Sequence, residues 1–312
     1  MNYSQGLTVG LIICAMGMSV VAVCADQAPS TVTSPTPTLY DRIQTLTRAK
    51  GILNEQEGVF KVSMPRSDLH VTVAGVTMTP PMGLTSWVAF KLLGEHTMVM
   101  GDLVLLEDQV NPVMSTALEN GLEVTALHNH FFWDSPKVMF MHIGGSGDPE
   151  RLAAAVGKVF ATVKSTSGGK GERPFAKIDP AHTKLDPTQI DSILGVKGEL
   201  KNGVYKVTIG RSTTMGGHEM GTTMGVNTWV AFVGSEKRAV IDGDFAMLES
   251  ELQPVLKALR GAGISIVAIH NHMVTESPRI MFLHYWGIGS TEQLARGLRT
   301  ALDTQHAGPA NP

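Results

Sequence analysis

The stretch ALHNHFFWDSPKVMFMHI at 126–143 returns as AIHNHMVTESPRIMFLHY at 268–285, and this pair decides how the chain is read. Each copy runs His-Asn-His, a carboxylate, Ser-Pro, Met-Phe and a third histidine, with every matched position 142 residues apart. Outward from it the match continues. WVAF at 87–90 recurs at 229–232, Gly101-Asp102 as Gly243-Asp244, Pro112-Val113 as Pro254-Val255, and Gly121 as Gly263. Farther upstream GVFKV at 58–62 matches GVYKV at 203–207, at a spacing of 145. A repeat of this length is a whole domain and not a solenoid unit. The reading is repeat domain 1 at 38–163, a linker at 164–182 that opens on KSTSGGKGER, repeat domain 2 at 183–304, and a tail at 305–312.

Within a repeat, a short helix near 40–50 or 187–194 precedes an alternating strand, VFKVSM or VYKVTI. Strand-rich segments follow through WVAF and TMVMGDLVL, the second copy reading RAVIDGDFAML. A helix then opens between Glu107 and Pro112, with the proline in the first turn where its missing N–H does least harm. Gly121 and Gly263 stand where that helix should stop. LEVTALHNH and KVMFMHI predict a β-hairpin, and closing helices start at Asp148-Pro149 and Ser290. This order predicts an α+β fold: two tandem homologous domains, each a mostly antiparallel sheet with helices and a histidine-bearing hairpin.

Composition narrows the partners. Of 312 residues, 43% are hydrophobic and 17% charged, as in ordinary folded domains, and the net charge of −3 offers no cationic field for a nucleic acid. The triplet HNH therefore does not denote a nuclease, whose module disperses those residues and needs a basic surface. Leu7–Val23 is an apolar run, and Val23-Cys24-Ala25 before Asp26 reads as the cleavage site of a signal peptide at 1–25. Retention as a membrane anchor and lipidation at Cys24 are the alternatives; Val23 is bulky where a lipobox wants a small residue. Residues 26–37 (DQAPSTVTSPTP) read as a flexible tether. Cleavage after Ala25 would remove Cys14 and Cys24, the two cysteines of the chain, so the mature protein would have no disulfide and no transmembrane span. The expected location is periplasmic or secreted.

His128 and His130 lie two apart on a strand and so leave the same face. A hairpin symmetric about Ser135 puts His142 across from His128, with the carboxylate of Asp134 folding over the imidazoles from the turn. The second copy supplies His270, His272, Glu276 and His284. A lone strand histidine is usually a surface or satisfied core residue. Three on one face, twice, with a carboxylate each time, are a costly cluster without a partner. The donor set suits Zn, Mn, Fe, Ni or Cu. Four protein ligands would make a closed, structural zinc site, whereas an octahedral ion keeps positions open for substrate.

Other recurring residues have plainer readings. Asp102/Asp244 and Glu107/Glu249 precede a helix and read as caps, with a part in the chemistry as the alternative. Met215, His218, Met220 and Met224 are a soft-donor set for Cu(I) or, more simply, methionines filling gaps among the chain's 17. The walls around the two histidine sets differ: Phe131, Phe132 and Trp133 in one, Met273, Val274, Thr275, Tyr285 and Trp286 in the other.

The WVAF block, the MVMGDL/VIDGDF segment, the helix with its early proline and the pattern A-[LI]-H-N-H-x(3)-[DE]-S-P-x(5)-H resemble the LppY/LpqO family of exported or lipid-anchored bacterial proteins. The resemblance implies an envelope location and carries no established activity. The sequence thus predicts a metal-binding protein that acts as a metal-dependent hydrolase or oxygenase on a small molecule, or that binds or senses metal or a small ligand without turnover.

Overall fold

A computed structural model describes residues 38–94, 96–167 and 173–305. The segments read as a signal peptide (1–25) and a tether (26–37), and residues 306–312 of the tail, lie outside these. The first repeat runs α1 (Leu39–Thr47), β1 (Lys50–Asn54), β2 (Val59–Pro65), β3 (Thr72–Val73), β4 (Val76–Thr77), β5 (Thr85–Leu93), β6 (His96–Leu106), α2 (Glu107–Glu119), β7 (Glu123–His128), β8 (Asp134–Ser135), β9 (Val138–Gly147) and α3 (Pro149–Ser165). The second runs α4 (Pro187–Leu194), β10 (Glu199–Lys201), β11 (Val204–Gly210), β12 (Thr213–Met215), β13 (His218–Met220), β14 (Asn227–Ser235), β15 (Arg238–Leu248), α5 (Leu252–Gly261), β16 (Ser265–His270), β17 (Ile280–Gly289) and α6 (Thr291–Asp303). Among the described residues no helix is long and apolar enough to cross a membrane.

The α+β architecture is as the periodicities predict, but the two sheets do not stay apart. They join edge to edge into one twelve-stranded antiparallel sheet, β1-β2-β5-β6-β9-β7-β16-β17-β15-β14-β11-β10. The order reads the same from either end when the repeats are exchanged, so the join between β7 and β16, at Leu127 opposite Ile269, lies on a pseudo-two-fold axis. Helices from both repeats cover one face, where their apolar stripes and alternate strand residues form one continuous core. Val124, Leu127, Met141 and Ile143 point into it in the first repeat, and Ile266, Ile269, Leu283 and Tyr285 in the second. The residues between them face the other way.

A side-chain clasp locks the join twice. Both inner strand pairs carry a bulge, between Val124 and Ala126 and between Ile266 and Ala268. The Ile266 N–H donates to Asn111 Oδ1 (2.8 Å) and Asn111 Nδ2 donates to the Ile266 carbonyl (3.2 Å). Its mirror is Gln253, which accepts from the Val124 N–H (3.0 Å) and donates to the Val124 carbonyl (2.9 Å). Each repeat's helix thus satisfies the backbone that the bulge frees in the other repeat.

The helix starts correct one expectation. Asp102 and Asp244 are not caps; they sit inside β6 and β15. The N3 side chains Gln109 and Glu251 reach back to the backbone of Leu106 (3.0 Å) and Leu248 (2.8 Å). Guanidinium groups back them, the buried Arg66 against Gln109 and the partly buried Arg211 against Glu251.

Candidate metal centre

The face turned away from the helices carries the histidines. His142 lies in β9 and His284 in β17, His128 ends β7 and His270 ends β16, and His130 and His272 follow one turn into the loops. The hairpin register differs from a fold about Ser135. His128 pairs with Phe140, and His142 with Ala126. The slip is two residues, so every imidazole keeps its predicted face while His142 becomes a diagonal neighbour of His128. The connection causes it: Asp134-Ser135 pairs with β3, and Asp134 Oδ2 accepts from the Val138 N–H (2.8 Å), which moves the centre of the turn to Asp134.

In the second repeat Asp244 pairs directly with His284 and, on its other side, with Trp229. One ligand atom each from Asp244, His270 and His284 lies within 4.8 Å of the others, a possible metal-binding group. His272 joins its rim, with Nε2 3.2 Å from Asp244 Oδ2. The His270 ring is 4.7 Å from that of His284 and 5.1 Å from that of His272. Phe282 stacks under His272 at 3.5 Å, which fixes the ring's plane. His284 Nδ1 lies 3.3 Å from the Gly243 carbonyl; a proton donated there leaves the lone pair on Nε2.

The first repeat repeats the plan more openly. Asp102 pairs with His142 and Trp87, the His128 ring is 5.2 Å from both His130 and His142, and Phe140 stacks under His130 at 3.3 Å. In each repeat a lysine, Lys61 or Lys206, sits over the tryptophan at 4.0 and 4.3 Å.

The electrostatics of the cluster are dominated by burial. Burial, and then the neighbouring imidazoles His284 and His272, push His270 down to about 4. Burial raises Asp244 against the pull of His284 and His272. Burial likewise lowers His130, opposed by Asp102. Asp244 is only 4% exposed, and Asp244 Oδ1, His270 Nδ1 and Asp102 Oδ1 are buried without a hydrogen-bond partner. Asp244 Oδ1 thus lies beside imidazole nitrogens, 4.0 Å from His284 Nδ1, without a hydrogen bond to any of them. A divalent cation would reverse the sign of each of these penalties.

Asp134 and Glu276, the carboxylates nearest the histidines in the chain, each hold a loop with one oxygen, while Asp134 Oδ1 and Glu276 Oε2 are, like Asp244 Oδ1, buried without a hydrogen-bond partner. Glu276 Oε1 accepts from the Ile280 N–H (3.3 Å), as Asp134 does from Val138, and Lys137 Nζ lies 3.6 Å from Asp134 Oδ1. Glu276 is not part of the group that Asp244 forms. The signal for Asp244 was the Gly-Asp pair recurring in both copies inside a strand-rich segment. Gly243 is required there because a Cβ would come within 2.3 Å of the Trp229 carbonyl and 2.2 Å of Tyr285 Oη.

Of the soft-donor set, Met215 pairs with His218 across the β12–β13 hairpin, while Met220 packs on the small core around Phe282. A cavity of about 850 Å³ lies elsewhere, among Asn111, Arg173, Phe175, Arg260, Ile266 and Trp286, and none of the six clustered histidines lines it.

An antiparallel sheet duplicated about a pseudo-two-fold axis, with a His/Asp cluster in the second copy matched by position in the first, defines the class. The chain belongs to the family described as Domain of Unknown Function (DUF1259), whose model matches residues 41–162 and again 188–304. No curated protein matches it. Among solved structures, it is similar to a trimeric bacterial microcompartment shell protein, PduB, at 12% identity over 81% of this chain and 89% of that one, with a TM-score of 0.19.

Proposed function

We propose that this is an exported metalloprotein of the LppY/LpqO type, which holds one divalent transition metal per repeat and presents it to a small molecule. The ligands are Asp244, His270 and His284, with His272 at the rim, and by position Asp102, His128, His142 and His130. The observation that carries the reading is the buried, unpartnered Asp244 Oδ1 beside His270 and His284, all within 4.8 Å. Zn, Mn, Fe, Ni and Cu all accept this donor set. Asp134 and Glu276 are assigned to the loops that carry His130 and His272.

The centres favour an exchangeable ligand over a closed structural brace, because the His284 side chain keeps 44% of its surface and His272 32%. A bound metal would supply a Lewis acid and an activated water, as in a hydrolase, or open positions as in an oxygenase. The chain's own residues orient the ligands: Phe282 and Phe140 by stacking, the Gly243 carbonyl by its contact with His284. A periplasmic or secreted location follows from the leader at 1–25.

The test is elemental analysis after metal reconstitution. The parent chain should hold close to two ions. Asp244→Asn should release one, weakening that site by about 100-fold or more, at least the loss an outer-shell partner causes. Glu276→Gln should retain both. Zero ions in the parent, or loss with Glu276→Gln but not Asp244→Asn, would overturn the reading.

A further inference from the structure

The cavity of about 850 Å³ lies at one end of the seam between the repeats. β16 pairs with β7 only at Ile269 opposite Leu127, which leaves its first residues without a strand on that edge. The start of α2, the end of α5 and the linker residues Arg173 and Phe175 enclose the gap. Arg238 Nη2 donates to the Phe175 carbonyl (2.8 Å) and pins the linker there. Phe175 is 77% exposed, Val267 49% and Trp286 38%, and all three line this one cavity. Scattered exposed apolar side chains need no explanation, but a group of them at a cavity is the usual wall of a small-molecule site.

The pseudo-two-fold axis supplies an internal control. At positions 142 apart, the other end of the seam has Leu118 for Arg260, Ser250 for Asp108, Thr125 for Val267 and Gly144 for Trp286, and no linker. The clasp amides Asn111 and Gln253 are kept at both ends, as a structural need requires. The seam therefore closes without the cation, the carboxylate and the aromatic wall that gather at this end alone. Arg260 is anchored but not neutralised. Its Nε donates to Ser115 Oγ (3.1 Å) and its Nη1 to the Ile264 carbonyl (2.8 Å), which uses two of the five N–H groups of a guanidinium. Among the described residues no carboxylate lies within ion-pair distance of it. Burial works against its charge, and Glu119 offsets this only from farther off.

We propose that this cavity binds a short apolar peptide as its zwitterion, with the carboxylate on Arg260 and the ammonium at Asp108. The charged lining consists of Arg173, Arg260, Glu107 and Asp108, which sum to zero. A balanced but separated set suits a ligand that carries both signs, and not a simple anion or cation. Asp108 and Ser115, which holds Arg260, are seven residues apart on α2, two turns along one face and about 10 Å. Two or three residues of extended chain, at about 3.3–3.6 Å each, span that distance, and one does not. Phe175, Trp286 and Val267 would take the apolar side chains. The site is independent of the His/Asp centres, and the proposal is of binding, with no step routed through a metal.

The experiment is isothermal titration of the whole chain with the dipeptide Leu-Phe, which the parent should bind once per chain. N-acetyl-Leu-Phe and Leu-Phe amide each lack one charge and should bind at least about 10-fold more weakly, as should free phenylalanine. Arg260→Leu and Asp108→Ser install the residues found at the other end of the seam, and each should weaken Leu-Phe by at least about 10-fold. The N-acetyl form should lose nothing further on Asp108→Ser, nor the amide on Arg260→Leu, a pairing that a merely loosened fold would not reproduce. Should Arg260→Leu fail to fold, Asp108→Ser and the blocked dipeptides still decide. Glu123→Gln at the other end of the seam and His128→Ala/His130→Ala should leave the affinity unaltered. No binding at millimolar Leu-Phe, equal binding of the blocked dipeptides or of phenylalanine, or undiminished affinity in Asp108→Ser would each overturn the assignment.

Discussion

Replacing Asn111 and Gln253 with alanine tests whether the two repeats are one folding unit. Each amide makes two hydrogen bonds to a backbone residue of the other repeat, between 2.8 and 3.2 Å. Those residues, Ile266 and Val124, are 1% and 0% exposed, so water does not readily replace the lost partner. At about 1 kcal/mol net per bond, one clasp is worth about 2 kcal/mol and the pair about 4. The amides share no partner, so the two losses should add. In a chain of this size about 1 kcal/mol moves Tm by about 2–4 °C, so the double variant should melt roughly 10 °C below its parent. Asn111→Asp keeps the acceptor for the Ile266 N–H and loses only the donor, so it should fall between parent and Asn111→Ala. Thermal and urea unfolding followed by far-ultraviolet circular dichroism and by tryptophan fluorescence would read this. The parent should unfold in one transition, because a single core spans both repeats. A double variant melting within about 2 °C of its parent, or a parent unfolding in two separated steps, would refute a structural role for the clasps.

Further outcomes follow from the site. In the metal-free protein His270 titrates near 4, below the unfolded value of 6.5. Stability should therefore be intact above pH 6.5 and fall as pH drops toward 4, while the unfolded chain takes a proton the folded one refuses. After discounting for partial exposure the loss is about 1–2 kcal/mol. His270→Gln should flatten the pH profile of urea midpoints, and an unchanged slope would count against it. Gly243→Ala should destabilise by about 1–3 kcal/mol through overpacking against Tyr285 and the Trp229 carbonyl, which urea unfolding would detect. His128→Ala/His130→Ala should empty one centre and leave the other filled by elemental analysis; loss of both ions would mean a shared site.

The duplication and the histidine face were legible because both depend on spacing alone. An error of two in register leaves every side chain on its face, so the cluster survived a wrong turn centre. The pairing of Asp102 and Asp244 with the histidines was not legible for the opposite reason. Chain proximity favours Asp134 and Glu276, but sheet pairing brings Asp102 and Asp244 beside His142 and His284 from a strand about 40 residues away. In the loops, the backbone N–H groups of Val138 and Ile280 engage one oxygen each of Asp134 and Glu276. The fusion of the two sheets was hidden because an edge strand has the same alternation as an interior one. Its trace in the sequence was faint: amide side chains at both Asn111 and Gln253, matched by position, on helices where neither caps anything.

The join also fixes how the two centres relate. His128 and His270 belong to β7 and β16, the strands that meet on the axis, and Leu127 and Ile269 pair across it into the helical core. One row of the open face therefore reads Trp87, Asp102, His142, Ala126 and then, across the join, toward His270; its mirror reads Trp229, Asp244, His284, Ala268 and toward His128. Each ion would sit over the strand between its aspartate and its seam histidine, β9 in one repeat and β17 in the other. These are three strand steps apart, about 14 Å at the usual spacing. Two-metal catalysts hold their ions about 4 Å apart, so no single atom could bridge these. The two copies are thus free to diverge in their walls, thioethers and glycine beside Asp102, aspartate and tryptophan beside Asp244, while the shared seam keeps both seam histidines in place.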